Sequence, residues 1–248
     1  MIQRIKKELS QNGYSILKSF YSKKIILETL ESYEMNIDYC IKLKKKNIKG
    51  NLDEKYLALE KMDKKLKSRS YDISKFHSSL SRMAVNKKIL KIIEKLHNEV
   101  FFVDYPQIRA DDIKNSYILP LHQEIYGQLS SKVITLWCPL TNVSKFNGTL
   151  NVIPGSHKFG KIKHQFYKIK NNKYHGADKE FIKNKKIKSL KLNSGDIVLF
   201  DPHLLHGSGK NNSNKIRWTY IVRYNAISGI KYLKDNKSPL RIVQKFNS

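Results

Sequence analysis

The chain has 248 residues, with 48 Lys and Arg against 21 Asp and Glu, a formal net charge of +27 and a pI near 9.9. Its two cysteines cannot build a multi-bridge disulfide framework, and its apolar runs are far shorter than the ~20 residues that a membrane-spanning helix needs. These features exclude a disulfide-rich module and an integral membrane protein. The opening sequence MIQRIKKELSQNGYS lacks the apolar core of a secretory signal and predicts a cytoplasmic location. The length fits a single domain, residues 1–248, with a buried pocket.

The excess of basic residues favours anionic partners through long-range attraction. However, the lysines are dispersed and are not interleaved with arginines and aromatic residues, as they are in a nucleic-acid groove. We therefore interpret the charge mainly as compositional, with the lysines spread over a solvated surface.

Residues 1 to about 100 are predicted to be mainly helical. Apolar residues recur close to a 3.6-residue period from Ser22 to Tyr39 and from Asn86 to Val100. Ser22 and Asn86 are suited to cap the N-termini of these helices. The lysine-rich stretch from Leu43 to Ser70 is weakly patterned, and it leaves open a mobile segment or an exposed helix.

From Phe101 onward the pattern changes to short β-rich runs separated by turns. The runs are FFVDYPQIRA, SYILPLHQEIY, KVITLWCPL, TLNVIP, IKSLKL, DIVLF, LLHGS and IRWTYIVRY. About eight such runs predict a mainly β fold over residues 101–226, a double-stranded β-helix of the jelly-roll or cupin-like kind, with the helical part as support. Residues 227–248 are predicted to form a basic tail.

His122 and Glu124 lie two apart in a predicted strand, so both side chains should project from the same face. A His-x-Glu pair alone is a weak signal. His206 follows 206 − 124 = 82 residues later, on another strand-like run. Two imidazoles and one carboxylate on a β scaffold form the facial triad that leaves three positions of an octahedral Fe(II) open, although zinc can use the same ligands.

Two neighbours of His206 support this interpretation. Ser208 shares its face, whereas His203, three residues earlier, should point to the opposite side. Arg217 follows His206 by 217 − 206 = 11 residues. If it points inward it must be paired, because an unpaired buried guanidinium is very costly, and a dicarboxylate can pair with it through a bidentate fork. The alternative is an arginine on an outward strand face, which is how Arg223 can be interpreted.

These residues lie in segments that resemble a known family. LHQEIYGQ, FNGTLNVIPGSHKFG and SGDIVLFDPHLLHGSGKNNSNKIRWTYIVRY resemble successive motifs of the phytanoyl-CoA dioxygenase family. ELSQNGYSILKSFYSKKIILETL is similar to the opening strand and helix of that family. The resemblance covers most of the chain and is weakest from Leu43 to Ser70 and after Ala226.

The resemblance implies that His122, Glu124 and His206 bind iron and that Arg217 grips the distal carboxylate of 2-oxoglutarate. The family usually has aspartate where this chain has Glu124. We interpret Glu124 as the same carboxylate ligand on a longer side chain. The implied reaction consumes O₂ and 2-oxoglutarate and hydroxylates a C–H bond.

The resemblance also implies lesser roles. Ser208 would be a second contact of the cosubstrate, and Trp137 resembles a tryptophan that lines its pocket, with a place in the core as the alternative. His157 is interpreted as a structural or rim residue of a loop. We expect the substrate to be a small anionic metabolite, lipid or sugar conjugate, and Arg109 is the candidate rim contact, with a surface ion pair as its alternative.

Two other function classes remain as hypotheses. The charge of +27 is compatible with oxidative demethylation of a nucleic acid, which would require a basic, aromatic-lined groove. A non-catalytic cupin-like binding module is the third possibility, and the joint presence of the triad and Arg217 argues against it.

Overall fold

The computed structural model of the protein describes residues 1–111, 120–169 and 172–230. The α-helices in these ranges are α1 Ile2–Asn12, α2 Lys23–Leu43, α3 Leu52–Met62, α4 Lys64–Ser74, α5 Ser78–Ala84, α6 Lys87–His97 and α7 Lys179–Ile182. The strands are β1 Tyr14–Leu17, β2 Phe101–Val103, β3 Gln107–Asp111, β4 Val133–Pro139, β5 Leu150–Val152, β6 His164–Ile169, β7 Asn172–Ala177, β8 Lys188–Ser189, β9 Ile197–Phe200, β10 His206–Ser208 and β11 Arg217–Ala226.

Both predicted helix starts are confirmed. The side chain of Ser22 accepts a hydrogen bond from the backbone N–H of Ile25 at the start of α2. The side chain of Asn86 accepts one from the N–H of Lys88 at the start of α6. Each bond satisfies one of the donors that a helix N-terminus leaves without an intrahelical partner.

The lysine-rich segment that the pattern left open forms α3 and α4. Asn51 and Glu54 make a reciprocal capping box at the start of α3. Leu52, Tyr56 and Leu59 are buried at helical spacing, and they belong to the same apolar cluster as residues of α2. The segment is therefore a pair of half-buried helices, and two of its lysines, Lys55 and Lys67, form shielded ion pairs.

Antiparallel pairing organises the strands. One sheet has the order β1-β9-β4-β11-β2, and β3 pairs with the other end of β11. A second sheet has the order β10-β5-β8, and β6 pairs with β7 in a separate hairpin. β11 is therefore the central strand of the larger sheet, with β4 on one side and both β2 and β3 on the other.

The expectation of a mainly β fold holds only for the part from Phe101 onward, where all described strands except β1 lie, whereas the described residues as a whole combine helices and antiparallel sheets. The run SYILPLHQEIY is not a strand where it is described, from Pro120 to Tyr126, and its first part lies outside the described residues. Most of the predicted tail, residues 231–248, also lies outside them. In the described ranges, no helix combines the length and apolar character that a membrane span requires.

The larger sheet has two functionally different faces. On one face, the hydroxyl of Tyr220 donates to the carbonyl of Leu80 and that of Tyr224 donates to the carbonyl of Ala84, which joins β11 to α5. On the other face, Ile221 and Arg223 line a cavity. Because side chains alternate along a strand, a single strand both anchors the helices and supplies the cavity wall.

Candidate metal centre

The backbone brings the two predicted histidine ligands together. The N–H of His122 donates to the carbonyl of His206 at 2.8 Å and the reverse bond measures 3.1 Å, so they form an isolated antiparallel bridge. Their ring centroids lie 4.4 Å apart. The prediction of a strand through Glu124 is wrong, since a 3₁₀ turn, Glu124–Gly127, starts there. Gln123 is nevertheless extended, with φ −110° and ψ 138°, which carries Glu124 to the side of His122.

The orientation of both imidazoles fits metal binding. His122 Nδ1 lies 2.8 Å from the carbonyl oxygen of Pro120, and His206 Nδ1 lies 3.0 Å from that of Leu204. A carbonyl only accepts, so each Nδ1–H donates to it, and each Nε2 is the ring atom left for a metal. Both Nε2 atoms face Glu124 Oε1, at 3.3 Å from His206 and 3.9 Å from His122. One ligand atom from each of the three residues lies within 4.8 Å of the others.

The protonation states also suit a cation. Burial, helped by the neighbouring His206, lowers the pKa of His122 to about 4, so its imidazole is neutral near pH 7. Burial alone would raise the pKa of Glu124, but the charge of Arg223 and the contacts with both histidines outweigh it and hold that pKa well below its usual range. The cluster thus offers two imidazole nitrogens and one carboxylate, the set that non-haem iron and zinc both accept.

A cavity of about 250 Å³ opens onto this cluster. Six of the seven residues predicted for the site line it: His122, Glu124, His206, Ser208, Trp137 and Arg109. Apolar walls come from Leu150, Phe200 and Ile221, and further polar groups from Gln107 and Arg223.

Arg217, the seventh predicted residue, does not line this cavity. Its Nη2 pairs with Asp111 Oδ2 at 2.6 Å, and Nη1 donates to the carbonyls of Gly148 and Gly209. The Arg217 side chain is 2% exposed, and its buried Nε has no hydrogen-bond partner among the described residues. It lies on the same face of β11 as Ile221, so the inward direction predicted for it agrees with the structure, whereas its partner is a carboxylate of the chain itself.

Asp111 connects this arginine to the cavity. Its Oδ1 accepts from Arg109 Nη2 at 2.9 Å while its Oδ2 holds Arg217. Burial would raise the pKa of Asp111, but the two guanidiniums outweigh it and lower that pKa. A single buried carboxylate thus pairs with two arginines, one of which lines the cavity, and the three groups together keep one net positive charge.

Sequence reasoning missed the role of Arg223. Its Nε donates to Glu124 Oε2 at 2.9 Å inside the cavity, so the outward position considered for it is wrong. The signal was available: 223 − 217 = 6 is even, so an inward Arg217 on a regular strand implies an inward Arg223. His203 and His157 stay outside the cluster, since His203 contacts Asp201 and His157 contacts the carbonyl of Ser10.

Comparison with known proteins identifies the family. The family model described as Phytanoyl-CoA dioxygenase (PhyH) matches residues 9–219, so the chain belongs to the phytanoyl-CoA dioxygenase family, as its motifs predicted. It is 34% identical over 104 residues to the peroxisomal phytanoyl-CoA dioxygenase of Homo sapiens. That match covers 40% of this chain and 30% of the human protein, so the chain spans less than a third of that relative.

Two solved structures share the fold. The epimerase SnoN, in complex with Fe³⁺, alpha ketoglutarate and nogalamycin RO, is 14% identical with a TM-score of 0.64, over 91% of this chain and 83% of SnoN. EctD from S. alaskensis, with 2-oxoglutarate and 5-hydroxyectoine, is 16% identical with a TM-score of 0.64, over 91% of this chain and 76% of EctD. At these identities the likeness shows a common fold, and the chemistry of this chain has to be argued from its own residues.

Proposed function

We propose that the chain is an Fe(II)- and 2-oxoglutarate-dependent dioxygenase that hydroxylates a C–H bond of a small anionic molecule. The observation that carries this proposal is the convergence of His122 Nε2, His206 Nε2 and Glu124 Oε1 at one end of a cavity, with both Nδ1 atoms tied to backbone carbonyls. Fe(II) bound there would supply the oxidative chemistry. One atom of O₂ would oxidise 2-oxoglutarate to succinate and CO₂, and the other atom of O₂ would enter a substrate C–H bond. The protein supplies ligand geometry, orientation and exclusion of water.

The fold is proposed to serve this one site. We infer that the two sheets are the walls of a double-stranded β-helix, because β10 and β5 of the smaller sheet and β4 and β11 of the larger one all contribute to the same cavity. Helices α1, α2, α3, α5 and α6 share one apolar cluster with the larger sheet, which supports a single catalytic domain. A cytoplasmic location stays a prediction of the sequence.

The proposed anchor of the distal carboxylate of 2-oxoglutarate is Arg217, with Ser208 and Trp137 beside it. Ser208 and Trp137 line the cavity, and Arg217 occupies the inward face of β11 beyond Ile221. The buried Nε of Arg217 is a donor that lacks a partner in the described part of the chain, and a ligand carboxylate could accept from it. Asp111 lowers the cost of burying this arginine before the cosubstrate binds.

Replacing Arg217 with lysine is expected to raise the KM for 2-oxoglutarate by about tenfold or more and to lower kcat less. Lysine keeps the charge but loses the planar fork, so the change weakens binding in the ground state and the transition state alike. Steady-state kinetics with varied 2-oxoglutarate measure this. Arg4→Lys is the matched control, since Arg4 is exposed and neither it nor its partners, Glu8 and the carbonyl of Ile16, line the cavity. An unchanged KM in Arg217→Lys would remove Arg217 from this role and make Arg109 or Arg223 the next candidate.

The cavity supports a small substrate with an anionic group. Its volume of about 250 Å³ is below the 300–1,000 Å³ typical of pockets for drug-sized ligands. Arg109 reaches its wall with a side chain that is 25% exposed, while its other contact is the shared carboxylate of Asp111. We propose that Arg109 binds a carboxylate or phosphate of the substrate, while the carbon to be oxidised lies over Trp137 and Phe200, next to the metal ligands.

Succinate release above the uncoupled background tests this substrate class. We expect stimulation by small anionic molecules such as acyl thioesters and phosphorylated or carboxylated metabolites. Methylated oligonucleotides are tested in the same assay as the alternative substrate class. Stimulation by the oligonucleotides alone would contradict the proposed substrate and favour nucleic-acid demethylation.

A further inference from the structure

The two oxygens of Glu124 have different surroundings. Oε1 faces the Nε2 atoms of the two histidines, at 3.3 and 3.9 Å. Oε2 points away from them and accepts from Arg223 Nε at 2.9 Å and from Gln128 Nε2 at 3.0 Å. The side chains of Glu124 and Arg223 are only 11% and 14% exposed, so water competes weakly for these bonds.

A carboxylate binds a metal through one oxygen or through both. A glutamate has one rotatable bond more than an aspartate, so it needs more restraint to present one oxygen in a fixed direction. Here Oε2 is held by a charge-assisted hydrogen bond in a shielded position, and breaking that bond would leave the Arg223 charge unpaired. Turning Oε2 toward a metal is therefore unfavourable as long as Arg223 is present.

We propose that Arg223 is a positioning residue that, together with Gln128, restricts Glu124 to one-oxygen metal binding and so keeps a coordination position free for O₂. The inference rests on the proposed function. Three single-atom ligands leave three positions of an octahedral metal, of which 2-oxoglutarate, as a chelating ligand, takes two. A second oxygen of Glu124 would occupy the last one.

The test uses nitric oxide as a probe of that last position. Protein loaded with Fe(II) and 2-oxoglutarate in the absence of O₂ is titrated with nitric oxide, and the iron–nitrosyl signal is followed by electron paramagnetic resonance. We expect Arg223→Met to weaken nitric oxide binding by about tenfold or more, the equivalent of one lost charge-assisted hydrogen bond. Arg223→Lys should recover most of the wild-type affinity, because an ammonium group can still donate to Oε2.

Lys55→Met is the matched control, since Lys55 is also 14% exposed and ion-paired, with Glu34 and Asp38, but does not line the cavity, and nitric oxide affinity should stay at the wild-type value. If Arg223→Met does not fold, Gln128→Leu removes the other bond to Oε2 and should weaken binding in the same direction. Wild-type affinity in the folded Arg223 or Gln128 variant, or an equal loss in Lys55→Met, would overturn the inference. A wild-type protein that gives no nitrosyl signal would instead contradict the proposed function.

Discussion

Glu124→Ala is expected to abolish tight Fe(II) binding and all turnover of 2-oxoglutarate. Glu124 contributes the carboxylate oxygen of the cluster, and an imidazole supplies no negative charge, so no negative charge in the described cluster would balance the cation. The fold should survive with a lower stability, because Arg223 loses a shielded partner while the paired strands around the cavity stay intact. Metal content after dialysis, succinate formation and circular dichroism measure these three properties.

Two variants make this result specific. Glu124→Gln preserves the shape of the side chain and its contact with Arg223 but removes the charge, and it should lose turnover as well. Glu180→Ala removes a carboxylate that is 81% exposed and should leave metal binding and turnover at the wild-type level. Turnover at the wild-type rate in Glu124→Ala would remove Glu124 from the site.

Asp111→Asn is expected to lower the free energy of unfolding by about 3–5 kcal/mol at pH 7, the usual cost of breaking a buried ion pair. Asp111 and Arg217 are 3% and 2% exposed, so the two guanidiniums that Asp111 serves would keep their charge without a counter-charge. Urea unfolding of the metal-free proteins measures the difference.

The loss of stability caused by Asp111→Asn should become smaller as the pH falls. The two arginines hold the pKa of folded Asp111 below its ordinary value of 3.8 against the effect of burial, so the folded state binds a proton less readily than the unfolded state. The stabilisation is then complete above about pH 4 and is lost as the pH falls through the lowered pKa. The difference in free energy of unfolding between wild type and Asp111→Asn should therefore decrease in acid.

Asp201→Asn is the control for this prediction. The Asp201 side chain is 37% exposed, and its side-chain partner is the half-exposed His203, so the change should stay within about 0.5 kcal/mol. If the difference in free energy of unfolding between Asp111→Asn and wild type is the same at pH 7 and in acid, the shape of Asp111 and not its charge is important. No difference at pH 7 would contradict the buried pair itself.

Helices could be predicted from the sequence where a capping residue precedes a segment with apolar residues at a 3.6-residue period. Ser22 and Asn86 mark both predicted helix starts correctly. The lysine-rich segment was left open because its apolar residues are few. Its capping box, Asn51 followed three residues later by Glu54, was nonetheless visible in the sequence and marks the start of α3.

The β part was less predictable at the site itself. Pro120 and the 3₁₀ turn at Glu124 interrupt the run that alternation assigned to a strand. His122 and Glu124 still converge, because the one residue between them is extended and because a single bridge to His206 fixes the backbone. The prediction of the ligand cluster thus agrees with the structure for a local reason, although the described residues from Pro120 to Gly127 form no strand.

The partners of the arginines could not be predicted from local patterns. Arg217 meets Asp111 because β11 and β3 pair in a register that places these residues opposite each other, although they lie 106 residues apart. Arg223 meets Glu124 only because the turn after His122 directs that carboxylate toward β11. Such contacts depend on strand pairing and loop geometry, which one sequence does not specify.

An anaerobic titration of the wild-type protein with Fe(II) and 2-oxoglutarate, followed by visible absorption, tests the central claim most directly. We predict a metal-to-ligand charge-transfer band that requires both components, saturates at one Fe(II) and one 2-oxoglutarate per chain, and is absent in a folded His206→Ala variant. A wild-type protein without this band, or a His206→Ala variant with the same band, would contradict the assignment of the His122, Glu124 and His206 cluster as an iron and 2-oxoglutarate site.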